Sequence, residues 1–138
     1  MSGGVPREGK PIICLDFDGV IHSYENGWQE GVIYGHVTEG FFDWAEEAVH
    51  HFDLHIYSSR SKTAAGRLKM QEWLVKEVGH WAPAWQAKET VAFIEQFIFS
   101  HEKPPAFLTI DDRAMTFEGS WADFHPEEII QFKPWNQR

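Results

Sequence analysis

The sequence predicts an α/β fold in which helices cover both faces of a central parallel sheet, a Rossmann-like three-layer sandwich. Short apolar segments rich in β-forming residues alternate with longer segments whose apolar residues recur at helical spacing. Residues 12–15 are continuously apolar and residues 107–110 are apolar except for Thr109, which is typical of parallel strands that are buried on both faces. Alternating strands and helices favour a parallel sheet with helices packed on it.

The first half of the chain supplies four predicted elements. Residues 12–15 predict a central strand. Residues 22–37 contain turn-forming Asn26-Gly27 among aromatic and β-branched residues, which predicts a β-hairpin flap. Thr38 is a favourable N-cap for a helix over residues 38–52, whose apolar residues share one face. Residues 54–57 predict a second strand that ends at hydroxyl side chains.

The second half is less regular. A helix with apolar residues from Leu68 to Val78 follows the second strand, whereas residues 80–95 show no single pattern. Residues 97–99 and 107–110 predict a third and a fourth strand, and residues 115–117 a short edge strand. The last predicted helix begins at Pro126, because proline is favoured in the first turn of a helix.

Length and composition predict one domain over residues 11–138 after a flexible lead-in, residues 1–10. The net charge of −9 disfavours a broad nucleic-acid-binding surface, which needs many Lys and Arg residues. No apolar run is long enough to span a membrane and the first residues do not resemble a signal peptide, so we expect a cytoplasmic protein. The single cysteine, Cys14, fits a reducing compartment.

Polar side chains follow three of the predicted strands at the point where each strand ends. Asp16 and Asp18 follow the first strand and Ser58 the second, while Asp111 and Asp112 follow the fourth. Ligands of parallel α/β sheets bind beyond the carboxyl ends of the strands, so we expect these side chains to share one site.

Crowded carboxylates repel one another, and a divalent cation relieves that repulsion. Mg²⁺ prefers oxygen ligands, and one or two carboxylates with a substrate phosphate complete its coordination, so Asp16 with Asp111 or Asp112 predicts a magnesium site. His50, His51 and His55 lack a cysteine and the spacing of a zinc site, and we interpret them as surface or packing residues.

Four segments, in this order, resemble the motifs of the haloacid dehalogenase-like (HAD) hydrolases. Residues 12–20, with the sequence IICLDFDGV, resemble the first motif, an apolar strand followed by Asp-x-Asp-Gly. Ile56-Tyr57-Ser58 resembles the second motif, an apolar strand that ends in Ser or Thr. Lys103 resembles the lysine of the third motif, and Ile110-Asp111-Asp112 resembles the acidic fourth motif. The short stretch between Asp16 and Ser58 resembles the minimal-cap members, including small phage and bacterial proteins, with the β-hairpin flap as the only cap.

This resemblance implies a Mg²⁺-dependent phosphatase that hydrolyses a phosphomonoester through an aspartyl-phosphate. Asp16 would attack phosphorus, and Asp18 would serve as acid and base while its backbone carbonyl binds the metal. Ser58 and Lys103 would hold the phosphoryl oxygens, and Asp111 and Asp112 would position Mg²⁺.

Several alternatives stay open at this point. Ser59 is a rival of Ser58 because a one-residue shift of the strand end exchanges their directions. Lys88 is a rival of Lys103, which lies unusually close to Asp111 for the third motif. Arg60 either reaches a substrate phosphate or neutralises the acids.

The alternative functions are a receiver-like signalling module and a non-catalytic phosphate-binding protein on a similar fold. The expected partner is a phosphorylated substrate, either a small molecule or an exposed phosphate on a macromolecule, and no membrane. Minimal-cap members can use a second subunit as a lid, so a homo-oligomer is an alternative to a monomer.

Overall fold

The computed structural model describes residues 10–138 and has a four-stranded, all-parallel sheet. The strands are β1 (Ile12–Leu15), β2 (Asp53–Ile56), β3 (Phe97–Phe99) and β4 (Leu108–Ile110), in the order β3-β2-β1-β4. The α/β class is confirmed, and the architecture is consistent with a Rossmann-like sandwich. Nearly all of the predicted lead-in, residues 1–9, lies outside the described residues.

The central position of β1 in the sheet explains why its residues are apolar. It pairs with β2 from Ile12↔Asp53 to Leu15↔Ile56, and with β4 from Ile13↔Leu108 to Leu15↔Ile110. No residue of β1 is more than 3% exposed, as expected for a strand covered on both faces. The carboxyl end of β1 therefore lies between those of β2 and β4.

Three helices follow the strands in the first hundred residues: α1 (Phe41–Ala48), α2 (Ala64–Trp81) and α3 (Ala87–Ile94). Helix α3 falls where the sequence predicted no single structure. At its start, the carboxylate of Glu89 accepts the backbone N–H of the N-cap residue Gln86. Phe93 of α3 packs against Trp81 and Phe97 in the core.

The helix predicted over residues 38–52 is shorter than expected and begins differently. Its N-cap is Gly40, whose φ of 82° lies in the left-handed region that glycine adopts most readily. Thr38 does not cap it, because its hydroxyl donates instead to the carbonyl of Val20. That bond ties the start of α1 to the loop after β1.

The prediction of a β-hairpin over residues 22–37 is wrong, because this segment is an irregular loop. Residues 22–37 contain no strand, and one antiparallel bridge, His22↔Val37, joins their ends. Side chains fix the backbone of this flap loop instead: the Tyr34 hydroxyl accepts from the N–H of Asn26 and donates to the carbonyl of Gly27. The buried carboxylate of Glu77 accepts the N–H of Val37.

The carboxyl-terminal part departs most from prediction. The sequence predicted that residues 107–110 are buried on both faces, yet Leu108 is 54% exposed. Residues 115–117 form no strand, and the segment after β4 contains only one α-helix, the four-residue α4 (Pro126–Ile129), which begins at proline as predicted. With so little regular structure after it, β4 forms an edge of the sheet that is partly exposed.

Within residues 10–138, no helix has both the length and the apolar character required to cross a membrane.

Two glycines of α2 provide a test of the packing between this helix and the loop before it. A Cβ at Gly66 would overlap the backbone carbonyl oxygen of Arg60, whereas a Cβ at Gly79 meets nothing within 4 Å. Alanine favours a helix over glycine by roughly 0.5–1 kcal/mol. We therefore expect Gly79→Ala to raise the free energy of unfolding by up to that amount and Gly66→Ala to lower it. Urea denaturation of both variants measures the two signs, and equal stabilisation by both would contradict the close approach of Arg60.

Candidate active site

Three of the four predicted acids come together at the carboxyl edge of the sheet. Asp16 follows β1, while Asp111 and Asp112 follow the neighbouring parallel strand β4. Each offers one carboxylate oxygen, and these three oxygens lie within 4.8 Å of one another. The backbone N–H of Asp16 donates to the carbonyl of Ile110, which keeps the two strand ends together. We call Asp16, Asp111 and Asp112 the acid cluster.

Gly19 allows the acid cluster to form. Its φ is 86°, and a Cβ at this position would overlap the carboxylate of Asp112. The glycine after Asp-x-Asp therefore provides both a sharp turn and the space that Asp112 occupies.

The carboxylate of Asp18 lies apart from the acid cluster in a separate ion pair. Arg60 Nε donates to Asp18 Oδ2 at 2.8 Å, and His22 Nδ1 lies 2.9 Å from Asp18 Oδ1. Arg60 thus neutralises an acid, one of the two roles considered for it. The predicted metal contact of Asp18 is through its backbone carbonyl and stays a prediction.

The pKa values of Asp16 and Asp18, the two acids after β1, are shifted in opposite directions. The pKa of Asp16 is raised to about 7, chiefly because burial penalises the charged carboxylate, and the charges of Asp111 and Asp112 act in the same direction. The N–H of Phe17 donates to Asp16 and opposes this shift. Burial also raises the pKa of Asp112.

The pKa of Asp18 moves in the opposite direction. Burial raises it, but the hydrogen bonds from His22 and Arg60, together with the positive charge of Arg60, outweigh burial and lower the pKa. Asp18 is therefore ionised at neutral pH, whereas Asp16 is partly protonated.

The predicted phosphate-binding residues line a cavity of about 230 Å³ beside the nucleophile candidate. Its walls include Asp16, Ser58, Ser59, Lys103 and Asp111. Lys88 lies on α3 and is not among the residues that line this cavity. The geometry favours Lys103 as the lysine of the site and retains both serines.

The two serines differ in their hydrogen bonds. The buried hydroxyl oxygen of Ser58 accepts the N–H of Arg60 and so caps the 3-10 helix Ser59–Lys62. Because that bond uses only an acceptor lone pair, the hydroxyl proton of Ser58 remains a donor for a phosphoryl oxygen. Ser59 is exposed at the rim.

The sequence did not identify His22 as a site residue. Its side chain is fully buried, and Nε2 accepts the N–H of Gly35 at 3.0 Å. Because Nε2 accepts, the neutral imidazole carries its proton on Nδ1 and donates it to Asp18. The spacing of four residues between Asp18 and His22 was visible in the sequence, but the contact with Gly35 was not.

The chain terminus also reaches the site. Trp135 Nε1 donates to the carbonyl of Gly19 at 2.7 Å, and Asn136 Nδ2 donates to the carbonyl of Ser23 at 2.9 Å. These bonds brace the loop after β1 from a position more than a hundred residues away in the sequence. No local pattern predicts such a contact.

Comparisons of this chain with protein-family models, curated proteins and solved structures find no match.

Because burial and neighbouring charge raise the pKa of Asp16, the folded protein binds a proton at this carboxylate where the unfolded chain has lost it. The contribution of Asp16 to stability is therefore lost as the pH rises from about 4 to about 7. In EDTA, we expect Asp16→Asn to raise the melting temperature at pH 8 by roughly 3–5 °C, the equivalent of about 1 kcal/mol in a domain of this size, and by less at pH 5.

The control is Asp123→Asn, which removes an exposed carboxylate outside the acid cluster. Differential scanning fluorimetry of the three proteins measures the effect. An Asp16→Asn protein less stable than wild type at pH 8 would contradict the electrostatic crowding of the acid cluster.

Proposed function

We propose that this protein is a Mg²⁺-dependent phosphohydrolase of the minimal-cap HAD type that forms an aspartyl-phosphate on Asp16. The observation that carries the proposal is the acid cluster at the wall of a cavity that also holds Lys103 and Ser58. A cation site, a nucleophile and phosphate-binding donors thus adjoin one another, as phosphoryl transfer requires.

The acid cluster fits a hard divalent cation. Its donors are carboxylate oxygens, which Mg²⁺ prefers, and neither sulfur nor imidazole is among them. The residues that would hold Mg²⁺ are Asp16, Asp111 and Asp112, with the backbone carbonyl of Asp18 proposed as a further ligand. Bound Mg²⁺ would offset the charge of these acids and of the incoming phosphate.

The first chemical step belongs to Asp16. A carboxylate oxygen attacks phosphorus, the bond from phosphorus to the leaving-group oxygen breaks, and that oxygen receives a proton from solvent water or from the small protonated fraction of Asp18. Lys103 and the hydroxyl proton of Ser58 are suited to the charge on the phosphoryl oxygens.

The second step releases phosphate. Water attacks the phosphorus of the aspartyl-phosphate, its proton passes to a carboxylate, and the bond from phosphorus to Asp16 breaks. Asp18 is ionised because of Arg60 and His22, so it is ready to accept this proton. The same ion pair disfavours the protonated Asp18 that would assist the leaving group in the first step.

The decisive experiment compares two conservative variants. Wild-type protein with Mg²⁺ should release phosphate from 4-nitrophenyl phosphate, and excess EDTA should abolish the release. Asp16→Asn should form no phosphoenzyme, because an amide lacks the charge and nucleophilicity of a carboxylate. Asp18→Asn should slow turnover by about 10²- to 10⁴-fold and accumulate a phosphoryl group on Asp16.

Intact-protein mass spectrometry after acid quench, followed by peptide mapping, locates the phosphoryl group, and thermal melts verify that the variants fold. Phosphate binding without any turnover would favour the non-catalytic alternative. A stable aspartyl-phosphate in the wild type would favour the receiver-like one, and a label on Asp18 would reverse the roles of the two acids.

The ion pair of Asp18 also predicts dependence on the leaving group. Because Asp18 is a poor proton donor, kcat/KM should fall steeply from 4-nitrophenyl phosphate to phenyl phosphate to an alkyl phosphate. Removing the cation in Arg60→Met should raise the pKa of Asp18 and flatten this dependence, while Arg60→Lys serves as the charge-retaining control. If kcat/KM depended on the leaving group equally steeply in all three proteins, Arg60 would not act through Asp18.

A further inference from the structure

A second groove adjoins the candidate active site. It has a volume of about 280 Å³ and lies between the flap loop and the start of α2. Ser59 lines both this groove and the cavity that contains Asp16, so the two are neighbours. A substrate whose phosphate lies beside Asp16 therefore has this groove as a place for its leaving group.

The groove has an aromatic wall. Trp28 of the flap loop is 58% exposed, although a tryptophan ring is large and apolar. The guanidinium of Arg60 lies 4.9 Å from the centroid of this ring, and Arg60 Nη1 donates to the carbonyl of Gly31 in the same loop. The cation–π contact and the hydrogen bond hold the ring in place while much of its surface stays available for stacking.

The groove is also cationic in an acidic protein. The chain has a net charge of −9, yet the charged residues that line the groove are Lys69 and Arg60, and no acid of the described chain is among them. The charge of Arg60 is balanced by its ion pair with Asp18, so Lys69 supplies the positive charge of the groove. The first turn of the 18-residue helix α2, from its N-cap Thr63, forms another part of the wall and adds the positive end of a helix dipole.

Arg60 has one donor that is unpaired among residues 10–138. Its side chain is 5% exposed, and its Nη2 atom has no hydrogen-bond partner within the part of the chain that the structure describes. Buried donors in folded proteins are generally paired, so this nitrogen is an unusual feature of a residue that lines the groove. The atom itself is buried, so we base the substrate class on Trp28 and Lys69.

From the aromatic wall, the cation Lys69 and the position beside Asp16, we infer that the leaving group of the substrate is a nucleoside carrying a second phosphate. This inference rests on the proposed phosphohydrolase function and specifies its substrate class. The base stacks on Trp28, Lys69 and the start of α2 bind the second phosphate, and the scissile phosphate lies in the cavity with Asp16. A nucleoside bisphosphate and the phosphorylated end of an oligonucleotide share this chemistry.

The test uses the ratio of kcat/KM for adenosine 3′,5′-bisphosphate to kcat/KM for glycerol 3-phosphate, because this ratio cancels changes in the shared chemistry. Trp28→Ala and Lys69→Ala should each reduce the ratio roughly tenfold, in line with the loss of a base stack or a phosphate contact. Trp28→Phe should retain most of it. Lys76→Ala, at an exposed position of α2 outside the groove, is the matched control and should leave the ratio unchanged.

A second readout does not depend on turnover. Isothermal titration calorimetry of Asp16→Asn with adenosine 3′,5′-bisphosphate and Mg²⁺ should detect binding that weakens roughly tenfold when Trp28→Ala is added. Ribose 5-phosphate, which lacks the base, should bind more weakly and be insensitive to Trp28→Ala. A 5′-phosphorylated oligothymidylate preferred over the bisphosphate would assign the strand end as the source of the same chemistry.

The outcomes separate this inference from the proposed function. Equal kcat/KM for the bisphosphate and glycerol 3-phosphate, unaffected by Trp28→Ala, would overturn the inference and leave the phosphohydrolase intact. Absence of turnover with every phosphomonoester, together with Trp28-dependent binding in calorimetry, would overturn the hydrolase and support the groove as a nucleotide site.

Discussion

Parallel hydrogen bonding of β1 to both β2 and β4 determines where the polar side chains of the site lie. The strands are parallel, so their carboxyl ends lie at the same edge of the sheet and the polar residues that follow them meet there. Asp16, Ser58 and Asp111 meet there because Leu15 pairs with Ile56 on one side and with Ile110 on the other. A shift of this register by one residue would reverse the facing of every side chain and disperse the site.

The crowding of carboxylates at this edge is accompanied by opposite pKa shifts of Asp16 and Asp18. The acid cluster holds three carboxylates near one another, which raises the pKa of Asp16, while Asp18 is drawn away into contact with Arg60 and His22. Two acids separated by a single residue thus acquire opposite shifts from their surroundings. Pairs of acids whose pKa values are pushed apart are suited to different chemical roles, nucleophile and proton acceptor in our proposal.

Arg60 links the carboxylate of Asp18 to the flap loop. One guanidinium binds Asp18, donates to the carbonyl of Gly31 and lies over the rings of Phe17 and Trp28. A change in the flap loop would therefore alter the surroundings of Asp18. The loop needs no β-ladder to be positioned, because Arg60, His22 and Glu77 hold its backbone at separate points.

The sequence by itself determined the strands and the acids that follow them. The apolar run that ends at Asp16 marks a strand buried on both faces, because such burial leaves no polar position inside the strand. The β-forming run that ends at Asp111 marks a strand as well, although that strand is exposed. The tertiary structure alone decided that Lys103 and not Lys88 lines the cavity with Asp16, which partners Asp18 has, and that Trp135 braces the loop after β1. These contacts join residues far apart in the chain, and local patterns of hydrophobicity carry no information about which distant side chains meet. The irregular backbone of the flap loop and the exposure of β4 also depend on the tertiary structure. Hydrogen bonds from distant side chains and the neighbouring segments override local propensity at both places.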